Sequence, residues 1–114
     1  MSELQPMLPR EVVDLYLDTR EADLSKSTIE NQRYRLNSFV EYCDDQEIET
    51  LDDLTGRHLH EFRNWRRNGD GERYGEVNNV TLNGILQTLR VFLEFAATID
   101  AVDSGMRERV LLPD

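Results

Sequence analysis

The chain of 114 residues contains one cysteine, one lysine and no long apolar run. A single cysteine cannot form a disulfide within the chain. Because Cys43 lies on the apolar side of a predicted helix, we expect a buried structural thiol. No stretch approaches the roughly eighteen consecutive apolar residues of a membrane-spanning helix, and the N-terminus lacks the basic and apolar regions of a secretory signal. We therefore expect a cytoplasmic protein without a membrane partner.

Residue patterns of catalytic and metal sites are also missing. The histidines are His58 and His60, and a spacing of two places them on different sides of a helix, unlike an H-x-x-x-H pair. The sequence has no phosphate-cradling glycine loop and no nucleophile elbow. The acidic residues 44–53 lack the ligand order and central glycine of a calcium loop. We expect no metal, no cofactor and no self-contained active site.

Acidic residues outnumber basic ones by 23 to 13, which gives a net charge of −10. Taken alone, this excess argues against a nucleic-acid partner, because carboxylates repel phosphates. A carboxylate-rich, lysine-poor surface is also typical of proteins from salt-saturated cytoplasm, where it reflects the solvent. The net charge is +2 in each of two stretches, residues 24–40 and 55–91, which leaves a net charge of −14 for the rest of the chain. The basic charge is therefore concentrated in two stretches.

Apolar periodicity predicts an all-α fold, a single bundle of four to five helices, since no stretch alternates as a strand does. The first helix runs from Pro9, which suits a first turn, to about Arg20. A capping box, Ser27 with Glu30, opens the second helix, which reaches about Cys43. The apolar sides of these two helices comprise Val12, Val13, Leu15, Tyr16, Leu17, Ile29, Leu36, Phe39, Val40 and Cys43.

The third and fourth helices follow an acidic loop at residues 44–53. Thr55 caps the third helix, which ends at Asn68 and turns Leu59, Phe62 and Trp65 inward; residues 69–75 form a flexible turn. The fourth helix, residues 79–99, begins at an Asn79 cap and is about 30 Å long.

Two apolar sides distinguish the fourth helix, so we expect neighbours to cover both and this helix to be the most buried element. The main side comprises Leu82, Ile85, Leu86, Leu89, Phe92, Leu93 and Ala96, and the second Val80, Gly84, Val91 and Phe95. Residues 1–8 are expected to be a flexible N-terminus, and residues 9–105 the folded domain.

Two acid-free patches lie on the second and third helices. Asn31, Tyr34, Arg35 and Ser38 form an outward strip on the second, which opens where backbone N–H groups favour phosphate. Arg63, Arg66 and Arg67 crowd the end of the third. Their charges either complement the helix dipole or bind phosphate through guanidinium forks, and both interpretations remain open.

A third patch is the polar ridge of the fourth helix, Asn83, Gln87 and Arg90. It is either a solvated ridge or a recognition surface, because Asn and Gln side chains pair with adenine edges and Arg with guanine. Three separate acid-free patches are improbable by accident in a chain of charge −10.

Several short motifs, in this order and spacing, resemble a known family. Ser27-Thr28 opens a helix that runs through Leu36-x-x-Phe39, and Leu54-Thr55 opens the next. Val80-Thr81-Leu82-Asn83 then runs into Leu89-Arg90-x-Phe92. From about Pro9 to Pro113 the chain resembles the N-terminal core-binding domain of tyrosine recombinases, the phage-integrase SAM-like domain. Four segments more closely resemble the recombinases of extremely halophilic archaea: LTGRHLHEFRNWRR, VTLNGILQTLRVFLEF, IDAV and RERVLLP.

The resemblance implies a helical clamp that grips one face of double-stranded DNA for site-specific recombination or integration. Catalysis would belong to a separate C-terminal domain, so residues 106–114 would begin a linker, this chain would not be an enzyme, and its four tyrosines would not be nucleophiles. Protomers could also associate on DNA. The DNA-binding residues so implied are Lys26, Ser27, Thr28, Asn31, Arg35, Arg63, Arg66, Arg67, Thr81, Asn83, Gln87 and Arg90.

One departure from the family concerns the start of the last long helix. Family members often carry a basic residue there, where this chain has Asn83 and Gly84. The alternative function is a helical protein–protein interaction domain that makes no direct DNA contact.

Overall fold

A computed structural model describes residues 3–113 and shows a bundle of four helices. In chain order these are α1 (Pro9–Arg20), α2 (Lys26–Asp45), α3 (Gly56–Asn68) and α4 (Asn79–Thr98), with 3-10 turns at Leu51–Asp53 and Arg107–Arg109. The all-α prediction is confirmed, since no strand occurs between residues 3 and 113. No helix in that range has both the length and the apolar character that a bilayer crossing requires.

The start of α2 differs from the predicted capping box. Ser25, in extended backbone conformation, caps the helix by accepting a hydrogen bond from the backbone N–H of Thr28 at 3.2 Å. The helix therefore begins at Lys26, and Ser27 lies inside its first turn. The assignment to Ser27 and Glu30 is wrong because the extended residue, which alone can turn its oxygen back to the free N–H groups, comes two positions earlier.

The cap of α4 is also displaced by one residue. The side chain of Asn78, not Asn79, accepts a hydrogen bond from the backbone N–H of Thr81 at 2.9 Å. At α3 the predicted cap is confirmed, because the Thr55 hydroxyl accepts from the N–H of His58 at 3.2 Å.

The main apolar side of α4 forms the centre of the core, and α4 contacts each of the other three helices. All seven of its predicted members are buried. The prediction that the second side is also covered is wrong for Val80, 82% exposed, and Val91, 39% exposed, whereas Phe95 is half-buried and packs against Tyr16 at 5.4 Å between ring centres. Three other helices cover one side of α4 and leave its polar ridge and these valines on the outer surface.

Aromatic rings join the helices through the core. Phe39 of α2 makes edge contacts with Phe62 of α3 at 5.5 Å and with Phe92 of α4 at 6.2 Å between ring centres. Tyr16 of α1 reaches Phe92 at 5.7 Å. Cys43 is wholly buried beside them, as predicted.

The position of Ser38 is a second difference from the prediction for α2, because Ser38 was expected to lie on the outward strip. Its side chain is buried. The hydroxyl donates to the backbone carbonyl of Arg35 at 2.7 Å, so burial leaves no unmet hydrogen bond and costs little. The outward strip therefore narrows to Asn31, Tyr34 and Arg35.

Two backbone hydrogen bonds attach part of the N-terminal segment to the bundle. Gln5 N–H donates to the carbonyl of Asp100 at 2.7 Å, and Leu51 N–H donates to that of Met7 at 2.8 Å. Within the acidic segment 44–53, Ile48 and Leu51 are buried and most carboxylates are exposed, whereas Asp52 is half-buried with its Oδ1 enclosed.

The turn between α3 and α4, predicted to be flexible, is organised by Asp70. One carboxylate oxygen of Asp70 accepts from the backbone N–H groups of Glu72, Arg73 and Tyr74 at 2.8–2.9 Å. Gly69 precedes it at φ 79°, where a β-carbon would lie 2.3 Å from the Tyr74 carbonyl oxygen. Only glycine fits this close reversal, which returns the chain onto α3.

Candidate nucleic-acid interface

Within residues 3–113, ion pairs involve four of the 13 basic residues and none of those predicted to bind DNA. Carboxylates pair with Arg33, Arg57, Arg73 and Arg107. Within residues 3–113, no carboxylate oxygen lies within 4.0 Å of the six cations predicted to bind DNA, which are Lys26, Arg35, Arg63, Arg66, Arg67 and Arg90. Their charges are therefore not neutralised locally, although the chain carries 23 acidic residues.

A groove opens where α2 and α4 meet the end of α1, and we call it the α2–α4 groove. Its volume is about 230 Å³. The lining consists of Tyr16, Arg20, Gln32, Arg35, Gly84, Gln87, Thr88 and Val91. This lining includes two guanidinium groups and no carboxylate, so the groove is suited to an anion.

Arg35 reaches from α2 across the surface of α4 within this groove. Its Nη1 donates to the Thr88 hydroxyl at 3.1 Å, and that hydroxyl donates to the carbonyl of Gly84 at 3.0 Å. A β-carbon on Gly84 would lie 2.9 Å from Arg35 Nη2. The guanidinium thus rests on Gly84, the one position of α4 without a side chain.

The predicted ridge of α4 lies at the edge of the groove. Gln87 is exposed, and its amide donates to the side-chain oxygen of Asn83 one turn earlier. Arg90 is half-buried one turn later. Glu94 follows on the same ridge, but Arg107 pairs with it at 3.2 Å and offsets its charge. The ridge therefore presents amide and guanidinium groups with its carboxylate already paired.

The start of α2 contributes polar groups that lie outside the groove lining. Ser27 and Asn31 are exposed, and the Thr28 hydroxyl lies 2.8 Å from that of Ser25 within the cap. Lys26 lines a different cavity of about 410 Å³, whose wall includes Glu30. Lys26 therefore lies outside the α2–α4 groove, in a cavity that it shares with Glu30.

The arginines of α3 occupy two different environments. Arg66 is 3% exposed, and its guanidinium carbon lies 4.8 Å from the centre of the Tyr74 ring. Its Nη1 also donates to the Gly75 carbonyl at 3.3 Å. The interpretation of Arg66 as a phosphate ligand conflicts with this burial, because the group packs against its own chain. Arg63 and Arg67 are half-buried and do not line the groove.

Six of the eight groove residues were not predicted as site residues: Tyr16, Arg20, Gln32, Gly84, Thr88 and Val91. The Arg20 guanidinium lies 5.6 Å from the ring centre of Tyr16. In the sequence Arg20 is an ordinary cation of a last helical turn, and no spacing shows that this turn meets α4. Gly84 carried a weak signal, since an isolated glycine inside a helix costs about 1 kcal/mol relative to alanine.

Two predictions remain: that Thr81 binds DNA and that the tyrosines are not nucleophiles. Thr81 is exposed in the first turn of α4. Burial raises the pKa of Tyr42 to about 12, with the Glu61 charge adding to the effect, and burial also raises the pKa of Tyr16. These phenols stay protonated at neutral pH and act as packing groups.

Residues 3–113 contain no cluster of His, Cys, Asp or Glu placed to hold a metal ion.

Two comparisons with known proteins found similarity. Residues 13–98 match the family model described as the phage integrase N-terminal SAM-like domain. The chain is also similar to the crystal structure of the N-terminal domain of a phage integrase/site-specific recombinase from Haloarcula marismortui. The two share 39% identity with a TM-score of 0.87, over 96% of this chain and 99% of that one. No curated protein matches the chain.

Proposed function

Because the chain belongs to the family of phage integrase N-terminal SAM-like domains, we propose that it binds double-stranded DNA as one part of a site-specific recombinase. Its task would be to hold the duplex from one face during integration or recombination. The chemical step would be carried out by another domain. A cytoplasmic location accompanies this function.

The α2–α4 groove is the observation that carries the proposal. It presents two guanidinium groups and no carboxylate on a chain of charge −10. The exposed Gln87 belongs to its lining, and Asn83 and the unpaired Arg90 lie on the same ridge of α4. Guanidinium groups bind backbone phosphates, while amides and arginine read base edges in the major groove. Both kinds of contact are thus available on one side of the bundle.

The acidic remainder of the surface fits a protein adapted to high salt. Carboxylates that face away from the groove would keep the protein soluble there, and repulsion between them is screened within about 3 Å at molar salt.

A DNA-binding isotherm measured against salt concentration tests the proposed function. We expect the logarithm of the association constant to fall linearly with the logarithm of salt, because phosphate contacts release counterions. A labelled duplex of mixed sequence and fluorescence anisotropy suffice. Complete absence of binding at low salt, with a folded protein, would contradict the proposal.

A protein-interaction domain remains the second candidate, and one observation favours it. A groove of about 480 Å³ lies between the start of α1 and the end of α2. Leu8, Val40 and Ile48 line it, together with three carboxylates, Asp44, Glu47 and Glu49, and one cation, Arg10. This groove is well suited to a basic, partly apolar segment, including one from another protomer on DNA. Asp44→Asn is its test, since that change should weaken a protein contact and leave duplex binding unchanged.

A further inference from the structure

The groove holds Arg35 in one particular orientation, and that orientation depends on two residues of α4. Thr88 has a single hydroxyl proton, which it donates to the Gly84 carbonyl at 3.0 Å. Its oxygen is then left to accept from Arg35 Nη1 at 3.1 Å. This directional chain, from Arg35 through Thr88 to Gly84, fixes one nitrogen of the guanidinium.

Gly84 supplies the space for this arrangement. A β-carbon at that position would meet Arg35 Nη2 at 2.9 Å and Cζ at 3.2 Å. Both atoms belong to the far end of a flexible side chain, so a methyl group would push the guanidinium aside without disturbing the helix. The Gly84 backbone itself does not require glycine, because it lies within the regular α4 helix.

The remaining donors of Arg35 are available to a ligand. A guanidinium carries five N–H donors, and the Thr88 contact is the one hydrogen bond that Arg35 side-chain nitrogens make within residues 3–113. No carboxylate in that range pairs with Arg35. Arg20 stands in the same groove, with its guanidinium against the Tyr16 ring. Two cations therefore converge on one small, acid-free space.

We propose that the α2–α4 groove binds a backbone phosphate of the duplex through Arg35 and Arg20, and that Gly84 and Thr88 are positioning residues for Arg35. The inference rests on the proposed DNA-binding function and assigns the phosphate site within it. A guanidinium already fixed at one nitrogen loses less rotational freedom when it binds. Gly84 therefore acts by providing the space that Arg35 occupies.

Four variants test the proposal in duplex-binding titrations. Gly84→Ala displaces the guanidinium, and Thr88→Val removes the hydroxyl while keeping a branched side chain. We expect each to weaken binding about tenfold, the size of one lost charge-assisted hydrogen bond, and Arg35→Ala to lower the salt slope by about one. Thr88→Ser keeps the hydroxyl and should restore binding close to that of the unmodified protein.

Thermal melts separate a positioning role from a purely structural one. Alanine is a better helix former than glycine, so Gly84→Ala should melt at the same or a higher temperature while it binds DNA more weakly. Thr98→Val is the matched control for Thr88→Val, because the Thr98 hydroxyl also bonds a carbonyl of α4 but lies outside the groove. That control should bind DNA like the unmodified protein.

The outcomes distinguish failure of this inference from failure of the proposed function. If the unmodified protein binds duplex in a salt-dependent way but Gly84→Ala and Thr88→Val bind equally well, the positioning roles are wrong and the function stands. If the unmodified protein binds no duplex, the function falls and this inference with it. Inorganic phosphate is the last probe: at equal ionic strength it should displace the duplex more than chloride does, and equal displacement by the two anions would mean that the groove holds no phosphate site.

Discussion

The guanidinium of Arg66 stacks on the Tyr74 ring, 4.8 Å from its centre, across the turn that joins α3 to α4. Tyr74 in turn packs against Trp65 at 5.7 Å between ring centres. Arg66 therefore belongs to the structure that holds this turn in place, whereas Arg63 and Arg67 remain candidates for contact with DNA.

Replacing Arg66 with alanine should reduce the free energy of unfolding by about 1–3 kcal/mol, through loss of the cation–π contact and of the hydrogen bond to Gly75. Urea denaturation in molar potassium chloride would measure this. Arg67→Ala is the matched control and should change stability by less than about 0.5 kcal/mol. Weaker DNA binding by Arg66→Ala with unchanged stability would contradict the structural role.

Replacing Leu89 with alanine should reduce the free energy of unfolding by about 2–5 kcal/mol, because Leu89 is buried on the main apolar side of α4 and its loss leaves a cavity. Val80→Ala on the same helix should have an effect within about 0.5 kcal/mol, since Val80 is exposed. Equal losses for the two variants would mean that α4 faces the core with a different side.

The melting temperature of the protein should rise with salt concentration. The net charge of −10 makes the folded chain repel itself in dilute buffer, and molar salt reduces the range of that repulsion to about 3 Å. Melts in low and molar potassium chloride measure the effect. A constant or falling melting temperature would remove the salt-adaptation argument for the acidic surface.

Acidification should destabilise the turn around Asp70. The backbone N–H groups of Tyr74 and Glu72, followed by the Arg73 side chain, hold the pKa of Asp70 below its ordinary value of 3.8. A carboxylate with a lowered pKa in the folded state contributes stability above its unfolded pKa, and that contribution disappears as the pH falls toward the folded value.

Asp70→Asn isolates this contribution, because an amide keeps the acceptor oxygen but carries no charge. At neutral pH the variant should unfold at a lower urea concentration than the unmodified protein. The difference should shrink as the pH falls below about 4, where unfolded aspartates become protonated. A difference that stays constant from pH 7 to below pH 4 would show that the charge of Asp70 has no part in it.

Two kinds of DNA contact should be separable by mutation. Replacing Arg63 or Arg67 with alanine should weaken binding to every duplex about equally and lower the salt slope by about one per lost contact. Replacing Gln87 or Arg90 should cost about 1–3 kcal/mol on a preferred sequence and little elsewhere. Asp44→Asn is a better control than Asp45→Asn, because Asp45 pairs with Arg73. Equal losses on all sequences for Gln87→Ala would contradict base recognition.

The helices themselves could be predicted well from sequence, because their signals are local. The limits of α1 and α3 and the Thr55 cap are as expected. The cap of α2 was predicted two residues too late, because Ser25, Ser27 and Thr28 offer several hydroxyl groups within four residues. The backbone conformation decides among them, and composition does not report it.

Tertiary contacts account for the remaining errors. Apolar periodicity placed Val80 on a covered side, although periodicity cannot show how many neighbours a helix has. The burial of Arg66 depends on a chain reversal at Gly69 that brings Tyr74 back over α3, and no repeat in the sequence records that contact. Likewise, Arg20 and Thr88 enter the groove only because α1, α2 and α4 meet there.

The burial of Cys43 also has a practical consequence for experiments on this molecule. Burial raises the pKa of its thiol to about 12, so alkylating reagents should not modify the folded chain. Modification of this thiol therefore reports the opening of the bundle without any added label. A cysteine introduced at Gln87 would conversely be the one accessible thiol, ready to carry a fluorophore or a photocrosslinker to whatever lies against α4.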